Sequence, residues 1–180
     1  KVIKRQSEIM ANECSIPEVE LLKTFKGISD YSAIGLILNM GAVERFASTK
    51  KLASYFGIHP VYKKSGDGTW GIHMSKKGRK EPRHILFMVA MSAIKCNPLI
   101  RSIYLKHTQK GMKKMAAIGV CMHKILRIIY GMLKHNRAFD SDIDRRNKEK
   151  IVQSKADVCR DENRRYQDYD PKAPISRRQK

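Results

Sequence analysis

The chain has 180 residues, and its 37 Lys and Arg residues outnumber 17 Asp and Glu residues to give a formal net charge of +20. Hydrophobic residues make up 42% of the chain, which is enough to bury a core and excludes a chain that is disordered throughout. Such an excess of positive charge favours polyanionic partners through counterion release and long-range steering. A ribosomal-type RNA binder, a protein on an anionic membrane surface and a merely soluble basic protein stay open on composition alone.

The cysteines, the histidines and the apolar runs argue against a disulfide-rich protein, a metal-binding protein and a membrane-spanning protein. Cys14, Cys96, Cys121 and Cys159 are scattered without a CxxC pair, which is typical neither of a disulfide framework nor of a zinc site and suits a reducing cytoplasm. The six histidines show no metal-ligand spacing, so we predict no metal site in this chain. The longest apolar run, residues 85–94, is shorter than the ~20 residues that cross a bilayer, and no membrane partner is expected.

The first elements in chain order are helical. Residues 1–20 are expected to be the end of a linker or coiled-coil helix from a missing N-terminal domain, because the opening is polar and begins at Lys1. A helix that starts near Pro17 and a second over Asp30–Met40 enclose Gly27, which reads as a helix-hairpin-helix-like start. Free amides in such a hairpin can accept a phosphate at Gly27, although an ordinary helical hairpin that binds nothing is the alternative.

The sequence pattern changes from helical to extended after a short predicted helix, which Ser48 caps and Gly57 ends. Residues 58–62 and 69–72 look extended, and the glycine-rich basic run Lys63-Lys64-Ser65-Gly66-Asp67-Gly68 lies between them. Alternating apolar residues around a glycine turn predict a small β-hairpin with an exposed tip.

The next part of the chain predicts a helical bundle. A helix that opens at Pro82 is apolar almost all round and is expected to be buried, and Asn97-Pro98 is a good start for another helix. In the last long helix apolar residues recur at 3/4 spacing from Met115 to Met132, which predicts a coiled-coil-like seam or a bundle core. The methionines are interpreted as core filler. From Asp140 onward we expect a polar helix and a flexible basic tail.

The same helices have an unusual charge pattern. No Asp or Glu occurs between Pro82 and Phe139, so the cations there need water or phosphate around them. The predicted fold is therefore mainly α, with a helix-hairpin-helix-like start, a small β-hairpin insertion and a helical bundle. Its domain spans residues 21–139, followed by the polar segment 140–180.

Ser65 is the best candidate for chemistry in this sequence. A serine hydroxyl needs activation or a strongly stabilised transition state, and attack on a phosphodiester concentrates negative charge that Lys and Arg can stabilise. Seven Lys or Arg residues and two acids lie between Gly57 and His84. On spacing alone, a serine in a glycine turn is also an ordinary turn former. The residues expected to bind nucleic acid are Lys63, Lys64, Gly66, Lys76, Lys77, Arg79, Arg83, Gly27, Lys113 and Lys114.

A multi-part pattern extends over most of the chain. It comprises Phe25-Lys26-Gly27-Ile28, Ala33, Leu38, Gly41, Arg45-Phe46-x-Ser48, Leu52-Ala53-x-Tyr55-x-Gly57-Ile58-x-Pro60, Ser65-Gly66, Gly71-Ile72-x-x-Ser75-Lys76-x-Gly78, Arg83-x-x-Leu86, Tyr104, Lys110-Gly111, Ala117 and the run 124–134. This pattern closely resembles the C-terminal, serine-bearing domain of IS-110-type insertion-sequence transposases, which are recombinases guided by a bridge RNA. The resemblance covers about residues 21–139.

The resemblance implies a function for the chain. It implies that Ser65 is the recombinase nucleophile and forms a covalent phosphoserine link with DNA, with Ser75 as the second choice. Magnesium is expected in a RuvC-like domain with four acids that this chain lacks, and no cofactor is expected here. DNA, a bridge-type guide RNA and further copies of the protein are the implied partners, in the cytoplasm of a bacterial or archaeal cell and associated with its nucleoid.

Two other functions remain as alternatives. The chain could be a non-catalytic nucleic-acid-binding module of the helix-hairpin-helix type. It could also be a structural basic domain that forms oligomers through the seam from Met115 to Met132.

Overall fold

The computed structural model of the protein describes residues 16–65, 68–143 and 146–147. The predicted linker helix before residue 16, Gly66 and the basic tail lie outside the described residues. The chain divides into two compact units, residues 1–139 and 140–180. Helices dominate the first unit and one antiparallel pair of strands interrupts them, which confirms the mainly α class with a small β-hairpin. The elements are α1 (Pro17–Lys23), α2 (Asp30–Met40), a 3-10 helix (Val43–Arg45), α3 (Thr49–Tyr55), β1 (Pro60–Ser65), β2 (Gly68–Met74), α4 (Lys80–Cys96), α5 (Pro98–Gln109) and α6 (Lys114–His135).

Local signals in the sequence set several helix boundaries. The side chains of Ser29, Ser48 and Asn97 accept hydrogen bonds from backbone amides in the first turns of α2, α3 and α5. Pro98 occupies the first turn of α5, where its missing N–H leaves no bond unmade. Asn136 ends α6 in the left-handed region at φ 45°.

The core is built around α6, which packs against α1, α3, α4 and α5. Leu22, Leu86, Ile125 and Ile129 are among its fully buried side chains. A buried hydrogen bond of 2.8 Å ties this core together, from the Tyr130 hydroxyl to the backbone oxygen of Phe46. Burial of these apolar side chains away from water is the main contribution to the stability of such a bundle.

The prediction that α4 is buried all round is wrong. Leu86, Val89, Ala90 and Ala93 are buried, whereas Met88 is 54% exposed and Met91 is 39% exposed. The helix packs on one side against α2, α5 and α6. Met88 and Met91 lie on a face of the helix that the other described elements leave partly exposed.

The apolar series of α6 forms a bundle core, as one of the two alternatives predicted. Ile118, Met122, Ile125, Ile129 and Met132 are buried, but Met115, the first of the series, is 67% exposed. By length and composition α6 could also cross a membrane, and so could α4 with α5 as one span bent by 96°. The burial of α6 in the bundle gives its apolar face a role in the core.

The β-hairpin is longer than predicted. Antiparallel pairing runs from Pro60 opposite Met74 to Ser65 opposite Gly68, with an irregularity between Tyr62 and Lys64. Ser65 therefore ends strand β1 and does not lie in the turn, because pairing continues past the expected strand end at Tyr62.

In the second unit, only the first residues are described. The Asp140 side chain accepts a hydrogen bond from the amide of Asp142, and it pairs with Arg146 at 2.7 Å. Residues 142–143 and 146–147 are helical.

Candidate nucleic-acid interface at the hairpin

Backbone hydrogen bonds attach the base of the hairpin to the end of α3. The amide of Ser75 donates to the His59 oxygen at 3.0 Å, and the amide of Lys76 donates to the Gly57 oxygen at 3.0 Å. The amide of Arg79 donates to the Tyr55 oxygen at 3.2 Å. We call these two segments, residues 55–59 and 75–79, the hairpin junction.

Two glycines allow the backbones of the junction to approach each other. A Cβ atom added at Gly78 would lie 2.6 Å from the Gly57 nitrogen and 2.6 Å from the Tyr55 oxygen. Gly57 has a backbone φ of +67°, which residues other than glycine rarely adopt. The junction therefore requires glycine at both positions.

Arg83 connects the junction to α4. Its Nη1 donates to the backbone oxygens of Phe56, at 3.3 Å, and Lys76, at 3.1 Å. A guanidinium has five N–H donors, so these two bonds leave others for an anion. Arg83 thus has a structural role that the sequence did not indicate, and its predicted contact with nucleic acid stays a prediction.

Cations surround the aromatic ring of Tyr55 at the same junction. The guanidinium of Arg79 lies 5.4 Å from the ring centroid, and that of Arg45 lies 5.5 Å away. Such cation–π contacts hold guanidinium groups in place while they keep their charge. Two arginines are therefore oriented on one ring beside the hairpin.

A wide cleft of about 1110 Å³ lies between the hairpin base and the first halves of α4 and α6. Its apolar lining includes Ile58, Met74, Phe87, Met115 and Met122. Its polar lining consists of His73, Ser75, Lys76, Lys80, Arg83, His84 and His123. None of the described residues that line this cleft is an Asp or a Glu.

Burial changes the proton affinity of two groups near this region. Desolvation, together with the charge of Arg127, lowers the pKa of His123 below its ordinary 6.5, so this imidazole is neutral at pH 7. Burial raises the pKa of the Cys121 thiol to about 11, which keeps it protonated and unreactive. A neutral histidine can both donate and accept a hydrogen bond at the cleft.

The structure brings together some of the predicted residues. Lys76 and Arg83 line the cleft, and Lys77 and Arg79 belong to the adjoining junction. Lys113 and Lys114 lie at the start of α6, between the cleft residues Met112 and Met115. Ser75 lines the cleft, and its Oγ accepts a hydrogen bond from the Lys77 amide at 3.3 Å.

Other predicted residues lie elsewhere. Lys63, Lys64 and Ser65 form the far end of β1. Gly27 has a φ of +116°, and a Cβ atom there would lie 2.9 Å from the Cα of Ala93 on α4. Close helix packing is thus one reason for glycine at this position, and phosphate binding at its turn stays a prediction.

Sequence reasoning missed the methionines and histidines of the cleft. Met74, Met112 and Met115 line it together with His84 and His123. The core-filler prediction concerns the methionines of α6 alone, and the position of Met115 at the end of its apolar series is the one signal of exposure in the sequence. Among the residues that the structure describes, no three His, Cys, Asp or Glu side chains come together as a metal site.

A profile of the Transposase IS116/IS110/IS902 family matches residues 19–105 of the chain. Through this segment the chain belongs to that transposase family. The match contains most of α1, helices α2 to α4, both strands of the hairpin and most of α5. It confirms the resemblance that the spaced residues carry.

Individual relatives agree with this family. Pilin gene-inverting proteins of Moraxella bovis and Moraxella lacunata are each 34% identical to the chain over 128 residues, or 68% of it. An uncharacterized protein of insertion element IS110 from Streptomyces coelicolor is 23% identical over 69% of the chain. The chain spans 39% of the length of each Moraxella protein and 31% of the Streptomyces protein.

Proposed function

We propose that this transposase-family chain takes part in DNA transposition or site-specific recombination, with Ser65 as the nucleophile. The observation that carries this proposal is the family match over residues 19–105, which contains the entire hairpin. The Moraxella relatives are named for the inversion of a pilin gene, which is a rearrangement of DNA. The net charge of +20 provides the attraction to a polyanion that such a reaction requires.

The proposed reaction is a transesterification. The Ser65 hydroxyl oxygen attacks a phosphorus atom of the DNA backbone, an O–P bond to the serine forms, and the bond from phosphorus to one deoxyribose oxygen breaks. The proton lost by the serine ends on the leaving sugar oxygen. Because a phosphodiester replaces a phosphodiester, the link to serine conserves bond energy for joining a new strand end.

The hairpin junction supports the placement of the nucleophile on a fixed element. Three backbone hydrogen bonds and the two bonds from Arg83 attach the hairpin base to α3 and α4. A nucleophile that the fold already holds in the reactive orientation reacts faster, because less entropy is lost on reaching the transition state. Lys63 and Lys64, directly before Ser65, supply positive charge near the phosphate under attack.

Further components belong to the same proposal. The protein acts as a homo-oligomer with a bridge-type guide RNA, in the cytoplasm of a bacterial or archaeal cell and associated with its DNA. Magnesium binds to a RuvC-like domain with four acids. The described residues of this chain do not offer a cluster of ligands that fits such an ion.

Recombination in cells tests the choice of nucleophile. The protein is expressed from its own gene beside a reporter that records excision or inversion of its mobile element. We expect Ser65→Ala to abolish recombination and Ser75→Ala to retain it. Loss with Ser75→Ala and retention with Ser65→Ala would move the nucleophile to Ser75, and retention in both would contradict a serine at either position.

Salt dependence of binding tests the proposed interface. The affinity of the chain for duplex DNA should fall steeply with salt, and Lys114→Gln should reduce the slope of log K against log salt by about one. Lys51→Gln, at an exposed lysine of α3 that does not line the cleft, is the matched control. Affinity independent of salt would contradict DNA binding through these cations.

A further inference from the structure

We propose that the cleft beside the hairpin holds one unpaired DNA nucleotide, with its base against Met115 and its phosphates on the basic rim. This inference rests on the proposed function, because it takes DNA as the substrate. It adds a binding site for a base to a surface that was predicted only to contact phosphates.

The exposure of Met115 is the first observation. All later members of the α6 series are buried, whereas Met115 is 67% exposed and the neighbouring Met112 is 36% exposed. A single exposed apolar residue is ordinary, but both of these methionines line the same cleft. A thioether packs well on an aromatic ring, and methionine is among the apolar side chains that insert between bases.

The lining of the cleft is the second observation. Ile58, Phe87, Ile118 and Met122 extend the apolar surface inward from the two methionines. The volume of about 1110 Å³ exceeds the range of about 300–1,000 Å³ typical of small-molecule sites. The cleft therefore has room for a base together with part of its backbone.

The charge of the rim favours a nucleic acid over an apolar peptide. Lys76, Lys80 and Arg83 line the cleft, and Lys113 and Lys114 flank Met112 and Met115 at its edge. No acid occurs among the described lining residues, so this charge attracts an anion. A nucleotide combines a flat ring, whose faces can pack on apolar side chains, with a phosphate a few bonds away.

The position of the cleft favours DNA. Pro60 lines the cleft and Ser65 ends the same strand, so the five residue steps from one to the other span about 16 Å along β1. Phosphates along one strand of B-form DNA advance by about 3.4 Å each along the helix axis, so about five nucleotides cover this distance. One DNA strand can therefore reach from the cleft to Ser65. A nucleotide held in the cleft would then be unpaired within about five nucleotides of the reacting phosphate.

Bulged duplexes test this inference with the intact chain. One DNA duplex has a single unpaired adenosine, and a second has an abasic nucleotide at the same place, so the two differ only in one base. We expect the chain to bind the bulged adenosine about three- to tenfold more tightly, as a methionine contact with a ring allows. The salt dependence should be equal for both duplexes, since their phosphates are the same.

Methionine variants assign the effect to the cleft. Met115→Ala should remove the preference for the base, and Met88→Ala should retain it because Met88 is exposed on α4 but does not line the cleft. Thermal unfolding of both variants checks that each is folded. We expect both to fold, because the two methionine side chains are exposed.

The outcomes separate this inference from the proposed function. Salt-dependent DNA binding without a preference for the bulged base contradicts the inference and leaves the proposed function standing. A preference that Met115→Ala retains also contradicts it. An RNA duplex with the same bulge is measured in parallel, and a base preference found on RNA but not on DNA overturns the choice of DNA. Absence of DNA binding altogether contradicts the proposed function itself.

Discussion

The helical core and the hairpin junction are held together in different ways. In the core, long helices bury aliphatic side chains around α6, and local capping residues such as Ser29 and Asn97 set where helices begin. In the junction, two backbone segments meet directly through glycines and amide hydrogen bonds, with Arg83 bridging two carbonyls. Apolar packing tolerates exchange of similar side chains, whereas a backbone contact tolerates almost none.

The difference matters because the proposed chemistry lies on the junction side. A shift of the junction would move the entire hairpin, including Ser65, while the core stayed folded. Substitutions in the two regions should therefore lower the free energy of unfolding by different amounts, and by the most where two backbone segments meet.

The largest expected effect is at the contact between the two glycines. Gly78→Ala places a Cβ atom 2.6 Å from two backbone atoms, so we expect the free energy of unfolding to fall by about 3 kcal/mol. The control is Gly131→Ala in α6, where an added Cβ meets nothing within 4 Å and helix propensity should raise stability by about 0.5–1 kcal/mol. Chemical denaturation measures both, and equal effects would contradict the close backbone contact.

A smaller loss is expected when the bridge from Arg83 is removed. Arg83→Ala leaves the oxygens of Phe56 and Lys76 without this donor, and hydrogen bonds to a charged group contribute about 1.5–3 kcal/mol. Arg83→Lys keeps the charge but lacks the planar fork, and we expect it to recover only part of the stability. Full recovery with lysine would show that charge alone matters at this position.

In the core, the corresponding polar contact is the hydrogen bond from Tyr130 to Phe46. Tyr130→Phe keeps the ring and removes the hydroxyl, so the expected loss is about 1 kcal/mol. Tyr31→Phe, at an exposed tyrosine of α2, should leave the denaturation midpoint unchanged. A loss with Tyr130→Phe as large as with Gly78→Ala would erase the distinction between the two regions.

The smallest expected effect concerns His123 on the cleft side of α6. Its pKa is lowered by burial and by Arg127, so below pH 6.5 the unfolded chain takes up a proton that the folded chain does not. Stability should therefore decrease as the pH falls below 6.5, and His123→Gln should weaken this decrease. Denaturation midpoints between pH 7 and pH 5 provide the measurement, and an unchanged pH dependence in the variant would contradict the burial of a neutral imidazole.

The sequence predicted the helical part of the fold well because its signals are local. Ser48 and Asn97 cap the helices expected of them, and the spacing from Ile118 to Met132 forms the core. The failures involve contacts between distant segments. The length of the hairpin depends on pairing beyond Tyr62, and the exposure of Met88 depends on which neighbours α4 has.

The candidate site was predicted only in part for the same reason. Charge along the chain selected Lys76, Arg83 and Lys114; the first two line the cleft, the third lies at the start of α6, and their binding to nucleic acid stays a prediction. The bonds from Arg83 to two carbonyls, the contact of Gly27 with Ala93 and the cleft around Met115 follow from packing between elements far apart in sequence. Family resemblance selected Ser65, which spacing alone does not distinguish from a turn residue.

Mapping of a covalent protein–DNA adduct tests the central claim most directly. The protein expressed from its own gene is trapped during recombination, digested, and its peptides are analysed by mass spectrometry for a nucleotide attached to serine. The proposal predicts that the nucleotide is on Ser65 and that Ser65→Ala eliminates the adduct while Ser75→Ala retains it. An adduct that persists in Ser65→Ala, or that maps to any other residue, would contradict the assignment of Ser65 as the nucleophile.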